Sequence, residues 1–233
     1  MTAGASGQDG ATAGVGGAER FDELAGALYS AVVSDILDSL GHTEQVVRGG
    51  LRPAISGHWT LVGRARTARA VAVQERPEQP YAQLLRLIDA LRTGDVLVID
   101  AGGRDTSGIF GGLLATAVKA AGGRGAIIDG DTRDLRELER LAFPTLARGG
   151  CPADSLGRDE VVETDAPIVC GGVRIDSGDL VVADADGIVI VPSAVEDEVV
   201  RLALEKVSGE DHVRRELANG MSASVAFERY GIL

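Results

Sequence analysis

The middle third of the chain constrains the fold most. DVLVID (95–100), GAIIDG (125–130) and PTLARGG (144–150) are short strand-like segments, the first two almost wholly apolar. Between them lie GGLLATAVKAAGG (111–123), which ends in Gly, and TRDLRELERLA (132–142), both with helical character. Strand, helix, strand, helix, strand at this spacing predicts parallel strands joined by right-handed crossovers. The composition agrees with such a layered α/β fold. Hydrophobic residues make up 45 % and aromatics only 3 %, so the core must be built from Ala, Val, Leu and Ile.

The flanks complete the layout. Phe21, Leu24, Leu28, Val32, Ile36 and Leu40 recur at helical spacing, and Gly41 is a plausible terminator. TLVGRARTARAVAV (60–73) alternates as a half-buried strand does, and Pro80 opens a helix to about Arg92. Residues 161–175 and 178–192 are strand-rich, with a tight turn at Asp186-Gly187, and a helix from about Ser193 to Leu217 closes the fold. The expected organisation is a disordered tail over 1–19, a single catalytic α/β domain over 20–220 and a C-terminal tail over 221–233.

Several function classes are disfavoured. The formal net charge is −12, with 35 acidic against 23 basic residues, whereas nucleic-acid binding needs clustered Lys and Arg. No apolar run approaches the ~18 residues of a membrane span. The N-terminal stretch has no secretory-signal pattern, and Cys151 and Cys170 read as ordinary thiols of a reducing cytoplasm. HExxH, GxxxxGK[ST] and GxSxG are absent. His42, His58 and His212 are not at metal-ligand spacing, and nothing around Lys119 or Lys206 marks a Schiff-base lysine.

What remains is a constellation at the carboxyl ends of two predicted strands, where ligands of parallel α/β sheets gather. One loop, Ala101 to Gly111, delivers Gly111, Gly112, Leu113 and Leu114 as the first turn of a helix. Their backbone N–H groups suit a carboxylate or phosphate, although the glycines equally suit a tight turn. The other loop, Gly130-Asp131-Thr132, delivers Arg133, Asp134 and, one turn on, Glu137. Arg133 suits developing negative charge on an oxygen, and Asp134 with Glu137 offers hard ligands for Mg²⁺ or Mn²⁺. The same acids are also what a helix N-terminus prefers electrostatically. Together the parts suit a metal-bound 2-oxo acid whose cleavage leaves an enolate.

These residues resemble a known family. Gly112, then Arg133-Asp134 and Glu137, together with VVSDILDSLG, GAIIDGDTRD and GDLVVADADGIVIVP, are similar to class II pyruvate aldolases of the 4-hydroxy-4-methyl-2-oxoglutarate aldolase type. That family also contains regulators of ribonuclease E activity. The resemblance covers roughly residues 22–207. It implies a β/β/α swivelling-domain fold assembled as homotrimers or homohexamers. It also implies substrate contacts from Gly111 to Leu114 and from Arg133, and a divalent metal on Asp134. One branch of the family carries an acid at the position of Gly112; this chain follows the other, with Glu137. The proton-handling group is then open among Asp105, Asp131 and a neighbouring subunit's carboxylate. The implied reaction is retro-aldol cleavage of 4-hydroxy-2-oxo dicarboxylic acids to pyruvate, with oxaloacetate decarboxylation through the same enolate. A non-catalytic inhibitor of a ribonuclease is the competing reading. A methyltransferase, an old label in the family, has no cofactor-binding Gly motif to support it.

Overall fold

A computed structural model describes residues 12–231. Helices α1 (Thr12–Ala27) and α2 (Ser30–Ser39) lead into the short strand β1 (Arg52–Pro53). The middle alternates through β2 (Leu61–Ala72), α3 (Ala82–Asp89), β3 (Asp95–Phe110), α4 (Gly112–Ala120), β4 (Gly125–Thr132), α5 (Leu135–Leu141) and β5 (Thr145–Gly150). Strands β6 (Asp159–Thr164), β7 (Ile168–Cys170), β8 (Val173–Ile175), β9 (Leu180–Ala183) and β10 (Ile188–Val191) follow, then helices α6 (Glu196–Ala218) and α7 (Ala223–Tyr230). No described helix is long and apolar enough to cross a membrane.

The main sheet runs β1-β5-β4-β3-β2-β9-β10, with β6 also on β2. Neighbours from β2 to β5 are parallel, as the alternation predicts. The added strands β1, β6 and β9 pair antiparallel with it. Strand β2 is a fork: Leu61–Arg64 pair with β9, whereas Ala68–Ala72 pair with β6. A separate hairpin, β7–β8, completes the β structure.

Burial explains the apolar runs. Successive strand side chains point to opposite faces, so a strand covered on both sides must be apolar throughout. In β3, Leu97 and Ile99 join the core beneath α3, α4 and α5, with Leu84, Leu87 and Leu138. Their neighbours Val96 and Val98 enter a second core with Ile168, Val173 and Ile175 of the hairpin. Strands β9 and β10 divide in the same way. Val181 and Ile190 face the hairpin core, while Val182 and Val189 pack with Phe21, Val32 and Val199 of α1, α2 and α6. The sheet therefore curls around the hairpin core with helices outside it, the layered β/β/α arrangement of the swivelling-domain type.

Several expectations are corrected. Residues 12–19, expected in a tail, belong to α1; residues 1–11 lie outside the described residues. The expected C-terminal tail contains α7, whose Ala226 is buried; residues 232 and 233 are outside the described set. The single helix expected across 21–40 breaks at Tyr29, because the Asp184 carboxylate accepts from both the Ser30 N–H and hydroxyl at 2.7 Å and starts a second helix. The loop expected over 101–111 is mostly strand. Beyond Asp100, β3 continues through register shifts, pairing Arg104 with Gly130, Gly108 with Asp131 and Phe110 with Thr132.

Candidate active site

The strand ends of β3 and β4 are fastened together before the site begins. Phe110 is fully buried and stacks on Phe143 at 6.3 Å. Its carbonyl accepts from the Thr132 hydroxyl and the Arg133 N–H, each at 2.8 Å. Gly111 and Arg133 therefore leave adjacent strands side by side. Two glycines make room for the Arg133 stem: a Cβ at Gly108 would lie 2.6 Å from the Arg133 Cβ, and one at Gly111 2.8 Å from its Cγ.

Asp134 occupies left-handed backbone space (φ 56°), which Asp tolerates better than most residues. It is the N-cap residue of α5, yet its side chain makes no bond to that helix. Instead its Oδ2 accepts the Gly112 N–H at 3.0 Å, capping α4 from a neighbouring element. Asp131 takes no part in this cap, because it is buried on β4.

The resulting cleft encloses about 260 Å³. Its polar side chains are Tyr81, Arg133, Asp134, Asp154 and Ser155; its apolar ones are Leu85, Ile109, Leu113 and Leu114. The cleft is smaller than the ~300–1,000 Å³ typical of drug-sized ligands and suits a small molecule. A wider depression is lined by Arg20, Arg64 and Arg66, whose guanidinium groups pair with Glu196, Asp95 and Asp165, and by Arg92.

Of the residues singled out from sequence, Gly111, Leu113, Leu114, Arg133 and Asp134 line this cleft, and Gly112 and Glu137 do not. Gly112 gives its N–H to Asp134 and backs onto Glu137: a Cβ there would sit 2.7 Å from the Glu137 Cγ. An acid at 112 and the present Glu137 stem would thus compete for one space. Glu137 accepts from Arg140 on both carboxylate oxygens, which holds its carboxyl below the usual range. Neither Asp105 nor Asp131 lines the cleft. Burial, with the Asp105 charge nearby, pushes the Asp131 carboxyl up.

Asp154 and Tyr81 were missed. Asp154 follows β5 in a turn that bridges to Gly108, and its Oδ1 accepts from Leu156 N–H at 3.2 Å, an ordinary Asx turn by sequence. The Tyr81 hydroxyl donates to Asp154 at 2.9 Å from a residue in left-handed conformation (φ 63°), which no sequence pattern announces. The Leu156 amide, Tyr81 and Arg133 keep Asp154 below the usual carboxylate range, whereas burial and Asp154 push the Tyr81 phenol up. Arg133 stands between two carboxylates, 3.7 Å from Asp134 and 3.6 Å from Asp154. Both distances exceed those of tight ionic hydrogen bonds, so the planar donor fork has capacity for an anionic ligand.

A family model described as RraA-like (aldolase/RraA) matches residues 30–190. A protein of Halalkalibacterium halodurans, provisionally named 4-hydroxy-4-methyl-2-oxoglutarate aldolase, is 33 % identical over 84 % of this chain and 87 % of its own length. The 4-hydroxy-4-methyl-2-oxoglutarate aldolase of Thermus thermophilus is 28 % identical over 60 % of this chain and 80 % of its own. RraAS2 of Streptomyces coelicolor, described as an unusual member of the RNase ES inhibitor RraA protein family, superposes with a TM-score of 0.75. It is 30 % identical, over 85 % of this chain and 98 % of that one.

Proposed function

The chain belongs to the RraA-like (aldolase/RraA) family, and from that premise we propose that it is a divalent-metal-dependent lyase releasing pyruvate from 4-hydroxy-2-oxo acids. The observation that carries this reading is the Arg133-Asp134 pair set against the N-terminus of α4 in one small cleft. The first helical bond of α4 is Ala115 N–H to the Gly111 carbonyl at 2.9 Å. The N–H groups of Leu113 and Leu114 precede it and face the position of a substrate carboxylate.

The donor set suits a cation that leans on its substrate. Among the described residues no group of three or more His, Cys, Asp or Glu converges to hold a metal. Asp134 would hold it, with substrate and water oxygens completing the shell, a mode common for Mg²⁺ and also open to Mn²⁺. When bound, such a cation supplies Lewis-acid polarisation of the 2-oxo group. Glu137 could join only by leaving Arg140, so its place is outside the first ring of ligands.

The residues divide the remaining work. Asp154, ionised at neutral pH, accepts the C4 hydroxyl proton directly or through a water. The C3–C4 bond then breaks, the carbonyl fragment leaves, and the electron pair becomes the pyruvate enolate. Arg133 donates to the enolate oxygen as its charge grows. Protonation at C3 completes pyruvate, with Tyr81 and Asp154 positioned to return the proton. Oxaloacetate would lose CO₂ through the same enolate. The family resemblance adds a homotrimer or homohexamer to this reading, which light scattering can test.

A second reading is favoured by the net charge of −12, which suits a basic, RNA-binding partner: a non-catalytic regulator of a ribonuclease. One experiment separates them. Purified protein is given oxaloacetate and a panel of 4-hydroxy-2-oxo acids, with Mg²⁺, Mn²⁺ or Co²⁺ and then with chelator. Pyruvate release abolished by chelator is expected; no release from any of them refutes the lyase and promotes the regulator.

A further inference from the structure

Tyr81 stands in left-handed backbone space (φ 63°, ψ 6°), where an aromatic residue is uncommon and strained. Two acids of one downstream segment hold it there. Its N–H donates to the Glu160 carboxylate at 3.1 Å, and its hydroxyl donates to Asp154 Oδ1 at 2.9 Å. The segment between those acids is itself fixed. The Arg158 and Asp159 N–H groups both donate to the Ser155 carbonyl at 2.8 Å, and the buried Asp159 accepts from Arg104 and Ser107 of β3. Asp154 Oδ1 also accepts the Leu156 N–H at 3.2 Å, so one carboxylate oxygen carries two donors. Among the described residues the other oxygen, Oδ2, is paired only with Arg133, at 3.6 Å, and stays open to a ligand in the cleft. All of these bonds are made within one chain.

We infer that Tyr81, tied down by Glu160, is the positioning residue that aims Asp154 Oδ2 at the C4 hydroxyl of the substrate. This rests on the lyase reading, in which Asp154 takes that proton. The role belongs to one of two reactions. Retro-aldol cleavage begins at a hydroxyl: its proton passes to Oδ2, the C3–C4 electron pair becomes the enolate, and the carbonyl fragment leaves. Oxaloacetate has no such hydroxyl. Its C3–C4 pair becomes the same enolate as CO₂ departs, and enolpyruvate can take its C3 proton from water. Arg133 serves both reactions, whereas Asp154, Tyr81 and Glu160 serve only the first.

The test measures both reactions on the full chain with Mn²⁺: pyruvate from 4-hydroxy-4-methyl-2-oxoglutarate, and pyruvate from oxaloacetate above the rate with Mn²⁺ alone. Tyr81→Phe keeps the ring and removes the hydroxyl. It should lower kcat for cleavage about tenfold or more, the scale of one hydrogen bond to a charged group, and leave decarboxylation within about twofold. Glu160→Ala should lower cleavage about threefold or more with the same sparing, and Glu160→Gln, which keeps an acceptor oxygen, should restore it. Asp154→Asn should show the same split at about 10²–10⁴-fold, the scale of losing a general base. A general loosening of the fold would depress both reactions together. Parallel loss of both, or wild-type cleavage in Tyr81→Phe or Glu160→Ala, overturns the inference while the lyase stands. Wild-type cleavage in Asp154→Asn removes Asp154 as the base and the inference with it. No pyruvate from the hydroxy acid in the wild-type protein removes the retro-aldol reading itself, and this inference falls with it.

Discussion

Arg133 is the cleanest probe of the chemistry at the residue scale. Its backbone N–H is fixed to the Phe110 carbonyl, while its side chain is held only loosely by Asp134 and Asp154. Removing the guanidinium should therefore affect transition-state charge more than folding. Arg133→Ala is expected to lower kcat by about 10²–10³-fold, the scale of losing one oxyanion donor. Arg133→Lys should recover only part, since an ammonium lacks the planar fork. Steady-state kinetics of both variants check this, and full activity in the Lys variant would show that only long-range charge matters. Asp134 is less clean, because it also caps α4 through Gly112. The visibility of these residues in the sequence follows from their positions. Arg133 and Asp134 come directly after a strand that is apolar enough to recognise, so the rule of ligands at strand ends finds them. Asp154 sits in a turn whose Asp needs no function to explain it, and Glu137 is drawn to Arg140 by a pairing that spacing alone does not choose over a cation.

Elements differ in how far their own residues determine them. The parallel core was legible because two-sided burial makes DVLVID and GAIIDG apolar at nearly every position. The second half of β3 was not: AGGRDTSGIF carries Gly and polar residues because its bulged pairing with β4 exposes some positions and brings Gly108 against Arg133. The break between α1 and α2 was equally hidden. Its cause is Asp184, which is 154 positions from Ser30 in the chain. This remote cap makes a stability prediction. Asp184→Ala removes the acceptor of two Ser30 bonds and should cost about 0.5–2 kcal/mol, the range for losing an N-cap acceptor. For a domain of this size each kcal/mol lowers Tm by about 2–4 °C.

At the scale of the whole molecule, acid sensitivity follows from its carboxylates. Asp165 is held below the usual range chiefly by Arg66, which donates from Nε and NH2 at 2.8 Å, with Ser177 assisting. Asp154 and Glu137 are depressed as well, whereas Asp131 is raised. A depressed carboxylate contributes stability above its unfolded value near ~4, and that contribution is lost as pH falls through the lower folded value. Asp131 acts oppositely, its cost being relieved on protonation. The depressed groups predominate, so Tm is expected to decline from about pH 5 downward, and Asp165→Asn should flatten that decline. Melts across this range check both; an unchanged slope in Asp165→Asn would remove Asp165 from the account. The fork at β2 matters on a different clock. Its outer edge is completed by β6 and β9, which lie about 90–120 positions downstream, and a ribosome adding about 5–20 residues per second needs roughly 5–25 seconds to deliver them. During that interval a nascent chain presents an unpaired strand edge of the kind that recruits other chains. Slow decoding between β2 and β9, the stretch that also carries the cleft residues from Tyr81 to Ser155, would lengthen that exposure, and a lower yield of folded protein is the expected result.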